Sequence, residues 1–204
     1  MGPGVPDLGL DDETVASVIN GARTYSQFLD MVDKAGNGIC PFCPDHFDAS
    51  KNCVIGKHGH REEVWQAWRN PYPINHSSHH SIIAPARHIT HLNAMTAEDW
   101  ENMNFLIREI VKDLPGGCVA IRFGDPDLNA GSVRHLHVNI IVPDGTGDVQ
   151  VTLAKNPQKQ EEARSRVLAF EKLRSAGISV EDAPQRAAEI LSSGELKIVD
   201  DRLK

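Results

Sequence analysis

The stretch that decides the fold is Ser132-Val133-Arg134-His135-Leu136-His137-Val138-Asn139-Ile140-Ile141-Val142-Pro143. From His135 it alternates polar and apolar residues, then runs apolar to a proline, which is typical of a β-strand with one face on a core. With a period of two, the polar residues share one face: His135, His137 and Asn139. Polar groups rarely share a core-facing strand, because each needs a buried partner. We interpret this face as a functional site; a half-exposed outer face is the alternative.

Composition bounds the class of protein. The chain has 204 residues, of which 40% are hydrophobic and 24% charged, which predicts one domain with extra segments and argues against general disorder. A formal net charge of −7 argues against a broad nucleic-acid surface but leaves room for a local basic pocket. Because no apolar run has the length of a membrane span and the N-terminus lacks a signal-peptide pattern, we expect a cytoplasmic protein without a membrane partner.

The order of predicted elements indicates an α+β fold, a mainly antiparallel sheet with one long helix and additional N- and C-terminal helices. We predict three regions: a partly helical extension over 1–37, a core over 38–145, and a C-terminal strand, helix and polar tail over 146–204. The predicted helices are 11–34 in two pieces, 97–114 capped by Thr96 and Asp99, and 157–174. The predicted strands are 52–55 and 63–68 across a turn at 56–59, then 79–84, a buried 118–123, 135–142 and 149–153.

A Cys-x-x-Cys motif, Cys40-Pro41-Phe42-Cys43, suits tetrahedral zinc because two thiolates on one tight turn can reach one ion. No second such motif occurs, so histidines must supply the remaining ligands. Of ten histidines, we select His88, at the end of a strand-like segment, and His135 on the central strand. A reduced, metal-free cysteine pair is the alternative, and Cys53, His58 and His60 form a rival cluster that we interpret as a solvated hairpin.

If His135 binds the metal, His137 remains as a free imidazole beside a glycine-rich approach. Neutral imidazole attacks phosphorus well, and the phosphoramidate that it forms breaks readily once protonated. Such a site needs donors for the phosphate oxygens. Ser132, the backbone N–H groups around Gly131 and the Asn139 amide are the candidates, although a turn cap or a loop contact would also explain them. Arg87 and Arg134 are not assigned a role, since surface charges would also explain them.

Together these residues resemble the histidine-triad superfamily. Ser132-x-x-His135-x-His137-x-Asn139 is similar to its histidine-rich strand, and residues 83–92 resemble the segment before its long helix. Cys40-Pro-Phe-Cys43 matches the knuckle of zinc-bearing members, and Asn70-Pro71-Tyr72-Pro73 resembles a substrate-side strand. The resemblance covers roughly residues 38–145, and the four matches occur in the family's order.

The resemblance implies a nucleotide hydrolase or nucleotidyl transferase, similar to hexose-phosphate uridylyltransferases and to dinucleoside-polyphosphate phosphorylases and hydrolases. Carried over by position, His137 is the nucleophile that becomes covalently nucleotidylated, and Ser132 contacts the reacting phosphate. The implied ligands of a structural zinc are Cys40, Cys43, His88 and His135. The expected substrate is a dinucleoside polyphosphate or another nucleotide conjugate, and a homodimer is expected by resemblance.

The chain departs from the family at the third triad position, where Asn139 stands instead of histidine or glutamine. An amide can hold a phosphate oxygen but cannot donate a proton as an acid, so protonation of the leaving group must come from elsewhere. The asparagine that family hydrolases carry ahead of the serine has no clear match, and Gly131 stands where many members have glutamine. Nothing in the family matches roughly the last 60 residues.

Two other functions remain open on the sequence alone. In the first, His135 and His137 both bind a catalytic zinc that activates water directly. In the second, the protein binds nucleotides without turning them over and the zinc knuckle only stabilises the fold.

Overall fold

In a computed structural model of the protein, the described residues are 7–50, 52–60, 63–153 and 157–185. The helices are α1 (Asp12–Gly21), α2 (Tyr25–Gly36), α3 (Ala97–Val111), α4 (Pro126–Asn129) and α5 (Pro157–Ser175), with short 3-10 helices at Pro44–His46 and Leu92–Ala94. The strands are β1 (Val54–His58), β2 (Trp65–Arg69), β3 (Ser77–Pro85), β4 (Cys118–Arg122) and β5 (His137–Pro143). None of the described helices is long and apolar enough to cross a membrane.

The five strands form one antiparallel sheet in the order β1-β2-β3-β5-β4. The strand β5 lies between β3 and β4, where Asn139 is paired with Ile82 on one side and with Ala120 on the other. The predicted α+β class with a mainly antiparallel sheet is therefore confirmed.

One face of the sheet packs against α3. Val138 and Ile140 of β5 point into this core, together with Met103 and Leu106 of the helix. The predicted capping box is present, since the Thr96 hydroxyl accepts from the Asp99 N–H and the Asp99 carboxylate accepts from the Thr96 N–H at 2.8 Å. Trp100 of the same helix is 41% exposed.

Several predicted strand limits were wrong. Gly56 lies inside β1 rather than in a turn, because the strand shifts register between Val54 and Gly56. The strand β4 is an edge strand with exposed and half-exposed residues, so the prediction of a buried strand was wrong. His135 precedes β5, and 149–153 forms no strand.

The chain divides into two compact units. The sheet and α3 lie in the unit formed by Cys40–Asp125 and Arg134–Leu153. The other unit contains α1, α2, α4 and α5, and its core includes Phe28 and Phe170, whose ring centroids are 5.7 Å apart. The predicted boundaries at 37/38 and 145/146 stay a prediction. The start of the N-terminal extension (1–6) and the end of the polar tail (186–204) lie outside the described residues.

Candidate active site and metal centre

The polar face of β5 and of the residues before it is buried. His135 is 2% exposed, and His137 and Asn139 are each 7% exposed, so the alternative of a half-exposed outer face was wrong. The Phe42 ring packs edge-on against both imidazoles, with centroids 5.9 Å from His135 and 5.3 Å from His137. Because Phe42 lies between the two cysteines in sequence, packing of this ring brings the knuckle to the sheet face.

The structure brings together the four residues predicted as metal ligands. The Sγ atoms of Cys40 and Cys43 and one ring nitrogen from each of His88 and His135 all lie within 4.8 Å of one another. His135 Nδ1 lies 3.3 Å from Cys40 Sγ and 3.7 Å from Cys43 Sγ. Cys43 Sγ lies 3.2 Å from His88 Nδ1. Two thiolates and two imidazoles around one point form a donor set typical of a structural zinc site.

The geometry of this cluster fits zinc. Zn–S bonds of about 2.3 Å and Zn–N bonds of about 2.0–2.1 Å at tetrahedral angles separate sulfur from nitrogen by about 3.5 Å, close to the distances observed. His135 Nε2–H donates to the Pro85 carbonyl at 2.9 Å, which leaves Nδ1 unprotonated and aimed at the sulfurs. Burial lowers the pKa of His135 to about 4, so its imidazole is neutral at physiological pH.

A bound metal ion would change the protonation state of the cysteine thiols. Burial raises the pKa of Cys43 to about 12, helped by the Cys40 thiol and the charge of Asp45. Without a cation Cys43 therefore remains protonated, whereas a bound divalent ion deprotonates its coordinating thiols. The rival residues do not join a second cluster among the described residues: His58 Nδ1 bonds Asn102 Oδ1 at 2.8 Å and its ring stacks on Phe105.

His137 has a different environment from His135. It is not a member of the metal-ligand cluster, and its Nδ1 lies 2.7 Å from the backbone carbonyl of His135. A carbonyl can only accept, so Nδ1 carries the proton and Nε2 carries the lone pair. Burial lowers the pKa of His137 to about 4, with a smaller lowering from Arg122, and keeps the ring neutral. A neutral imidazole of fixed tautomer has the form that a nucleophile needs.

Asn139 is held by a residue that the sequence analysis missed. His80 Nε2 donates to Asn139 Oδ1 at 3.0 Å, since His80 Nδ1 accepts from the Ile74 N–H at 3.1 Å. Asn139 Nδ2 is buried and has no hydrogen-bond partner among the described residues. The Asn139 amide is thus held through its oxygen, and its NH₂ group is left available to a ligand. The signal available in the sequence was the adjacent pair His79 and His80 in a predicted strand.

Arg122 is a second residue that the sequence analysis missed. It is the cross-strand neighbour of His137, and its Nη2 donates to the Thr152 carbonyl at 2.8 Å. Burial lowers the pKa of its guanidinium. In sequence, Arg122 was only one residue of the predicted strand 118–123. Its proximity to His137 became visible only from the pairing of β4 with β5.

Ser132 and Gly131 lie in the helical unit. The Gly131 N–H donates to Asn129 Oδ1 at 2.7 Å, and the Gly131 carbonyl accepts from Asn20 Nδ2 at 3.3 Å. The residue Gly21 has no room for a Cβ atom, since one would lie 2.4 Å from the Ser132 Cβ. The loop is therefore fixed against α1, and the predicted phosphate contacts of Ser132 and Gly131 stay a prediction.

Arg87 is not a free surface charge. It forms an ion pair with the carboxylate of Asp99, whose side chain is completely buried. Trp65 Nε1 donates to the same carboxylate at 3.0 Å. Arg87 thus has a structural partner next to the strand that ends before His88.

No family model and no curated protein sequence matches the chain. Solved structures do match. One described as "Hit Like Protein" has 26% identity and a TM-score of 0.34, covering 46% of this chain and 86% of that chain. The chain is thus similar to solved structures described as Hit-like or histidine-triad proteins.

Two further matching structures are described with their source organisms. The diadenosine triphosphate hydrolase of Plasmodium falciparum, solved with Cyclomarin A, has 19% identity and a TM-score of 0.38, covering 63% of this chain and 80% of that chain. A Zn-bound histidine triad family protein from Mycobacterium smegmatis has 21% identity and a TM-score of 0.33, covering 59% and 86%. At these identities and TM-scores the likeness transfers no residue role or substrate to this chain.

Proposed function

We propose that the protein is a histidine-triad nucleotide hydrolase or nucleotidyl transferase that cleaves a nucleoside phosphate bond at its α-phosphorus through a covalent nucleotidyl-His137 intermediate. The observation that carries the proposal is the tautomer of His137. Its Nδ1–H donates a hydrogen bond to the His135 carbonyl, which leaves Nε2 as the nucleophilic atom. The expected substrate is a dinucleoside polyphosphate or another nucleotide conjugate.

The reaction has two displacements. His137 Nε2 gives its electron pair to the α-phosphorus, an N–P bond forms, and the bond to the leaving group breaks with the electron pair on the leaving oxygen or nitrogen. The positive charge on the phosphorylated imidazole is stabilised by the His135 carbonyl through Nδ1–H. Water or phosphate then attacks phosphorus, the N–P bond breaks, and neutral His137 is restored. The proton of attacking water passes to solvent, and the leaving group takes its proton from water.

Asn139 binds the reacting phosphate in this proposal. Its Nδ2 donor is buried and has no partner among the described residues, while His80 holds its Oδ1. A buried donor without an acceptor is costly, and a phosphate oxygen would satisfy it. By resemblance, Ser132 and Gly131 supply further contacts to the same phosphate.

Zinc is proposed as a structural ion held by Cys40, Cys43, His88 and His135. Bound there, it crosslinks the knuckle to the residues before β5. Since His137 is not among the four ligands, nothing in the geometry favours a catalytic zinc shared by both histidines. The cytoplasmic location and the homodimer stay predictions.

The test of the proposal is intact-mass analysis after mixing the protein with dinucleoside polyphosphates and nucleotide phosphoramidates. Quenching in alkaline denaturant preserves the adduct, because protonation breaks the N–P bond. The wild-type protein should gain the mass of one nucleotidyl group, and His137→Ala should gain none and lose turnover by about 10⁴-fold or more. The exposed His60→Ala variant serves as a control and should behave as wild type.

Two results would overturn the proposal. One is an adduct of equal yield in His137→Ala, and the other is a wild-type protein that turns over a substrate of the panel without forming an adduct. Unchanged zinc content and an unchanged Tm in His137→Ala would show that its loss of activity is not a loss of fold.

A further inference from the structure

The positively charged side chain of Arg122 lies beside the proposed nucleophile and has no anionic partner among the described residues. Arg122 is the last residue of the edge strand β4, directly opposite His137 in the antiparallel register. Side chains of directly opposed residues project from the same sheet face. The guanidinium group therefore belongs to the polar face that carries His137 and Asn139.

The hydrogen bonding of Arg122 is incomplete. Its Nη2 donates to the Thr152 carbonyl at 2.8 Å, whereas its Nε is buried and has no acceptor among the described residues. Among the described residues Arg122 forms no ion pair, in contrast to Arg87, Arg164 and Arg174. A partly buried charge that faces only a neutral carbonyl has lost hydration without gaining a counter-charge. An anionic ligand would supply both the charge and the missing acceptor.

Two buried donors without acceptors share this face. Arg122 of β4 is paired with His137 of β5, and Asn139 follows His137 by two residues on β5. The two donors are therefore Arg122 Nε and Asn139 Nδ2. Arginine Nε and an amide Nδ2 both donate to oxygen, and a guanidinium matches the geometry of phosphate oxygens better than an ammonium does. The pair of unsatisfied donors favours an oxyanion with more than one acceptor oxygen.

We propose that Arg122 binds phosphate oxygens of the substrate on the β4 side of His137 and makes the site selective for an anionic phosphate group. This inference rests on the proposed function, since it assigns the phosphate to the substrate of His137. Asn139 cannot donate a proton as an acid. Arg122 instead supplies a positive charge to the site. The charge stabilises negative oxygens as the bond to phosphorus breaks.

The experiment compares nucleoside monophosphates with the matching nucleosides by calorimetry: AMP with adenosine, GMP with guanosine, UMP with uridine and CMP with cytidine. Inorganic phosphate is titrated in parallel. Arg122→Gln should weaken binding of the preferred monophosphate and of phosphate by about 10- to 100-fold. Its affinity for the nucleoside should stay within about twofold of wild type. Arg122→Lys should recover part of the loss, because it restores the charge without the planar fork.

Arg108→Gln is the matched control, since it removes one exposed positive charge from α3 in the same unit. It should leave all affinities unchanged.

Equal monophosphate affinities in wild type and Arg122→Gln would overturn the inference, while adduct formation on His137 would still support the proposed function. If the wild type forms no adduct and binds no nucleotide, the proposed function fails. The phosphate titration then decides for Arg122: loss of phosphate binding in Arg122→Gln supports its role, and an absent or unchanged response overturns it.

Discussion

Two histidines separated by a single residue, His135 and His137, differ in what their ring nitrogens contact. His135 donates through Nε2 to the Pro85 carbonyl and turns Nδ1 toward the cysteines, whereas His137 donates through Nδ1 to the His135 carbonyl. Each backbone carbonyl fixes one tautomer and thereby selects the nitrogen that remains basic. The proposed roles of His135 as metal ligand and His137 as nucleophile depend on these two contacts.

A prediction at the scale of single residues concerns Asp99. Burial raises the pKa of its carboxyl, but donors from the Thr96 backbone, the Trp65 indole, Arg87 and the Thr96 hydroxyl lower it more, so the net pKa is below the ordinary value. Because the pKa is lower in the folded than in the unfolded state, its stabilisation is full above about pH 4. It is lost as the pH falls through the folded value.

Asp99→Asn should therefore lower the free energy of unfolding by about 3–5 kcal/mol at pH 7, because it leaves Arg87 and its neighbours without the charge that they surround. Urea denaturation between pH 2 and 8 should show a weaker pH dependence than in the wild type. Glu109→Gln removes an exposed partner of Lys112 on the same helix and should lower the free energy of unfolding far less. Equal losses in the two variants would contradict this account.

At the scale of elements, β5 separates two chemical environments. Its apolar face packs on α3, and its polar face carries the candidate site. The helix therefore stabilises the strand from the side that has no part in chemistry. A rigid strand with both faces buried holds His137 and Asn139 in fixed positions.

This arrangement predicts that α3 can be weakened without changing the nucleophile. Leu106 is 2% exposed in the core against the sheet, so Leu106→Ala should lower the free energy of unfolding by about 2–5 kcal/mol. The neighbouring exposed Asn104→Ala should change it by less than about 0.5 kcal/mol. Denaturant titration measures both. Activity per folded molecule should be retained in Leu106→Ala, and its complete loss would contradict the separation of the two faces.

For the whole molecule, the proposed zinc connects parts of the chain that are far apart in sequence. Cys40 and His135 are separated by 95 residues, and their ligand atoms lie 3.3 Å apart. An ion that binds only the folded arrangement stabilises it by mass action. The cluster is therefore expected to contribute to stability more than to chemistry.

Metal removal tests this. Elemental analysis should find about one zinc per chain, and Cys43→Ser should lose it, whereas the exposed Cys118→Ser should keep it. Chelation should lower the free energy of unfolding by about 3 kcal/mol or more, a fall in Tm of about 6–12 °C for a chain of this length. Restored zinc should restore the Tm. A metal-free protein of unchanged Tm, or zinc retained by Cys43→Ser, would contradict the site.

Local pattern alone predicted several parts of this protein. The period of two before Pro143 predicted a strand with a polar and an apolar face, and Thr96 with Asp99 predicted the start of the long helix. The spacing of Cys40 and Cys43 predicted half of the ligand cluster. These features depend on neighbours in sequence, so sequence carries them.

The tertiary structure alone decided the rest. Strand pairing placed Arg122 opposite His137 and His80 beside Asn139, contacts between residues 15 and 59 positions apart that no local pattern encodes. The order of the sheet made β4 an exposed edge strand, although its sequence resembles a buried one. Burial of the polar face likewise required Phe42 to pack across it. Sequence determines which face a side chain projects from, but only the packed chain determines what lies opposite, and that sets burial, charge and tautomer.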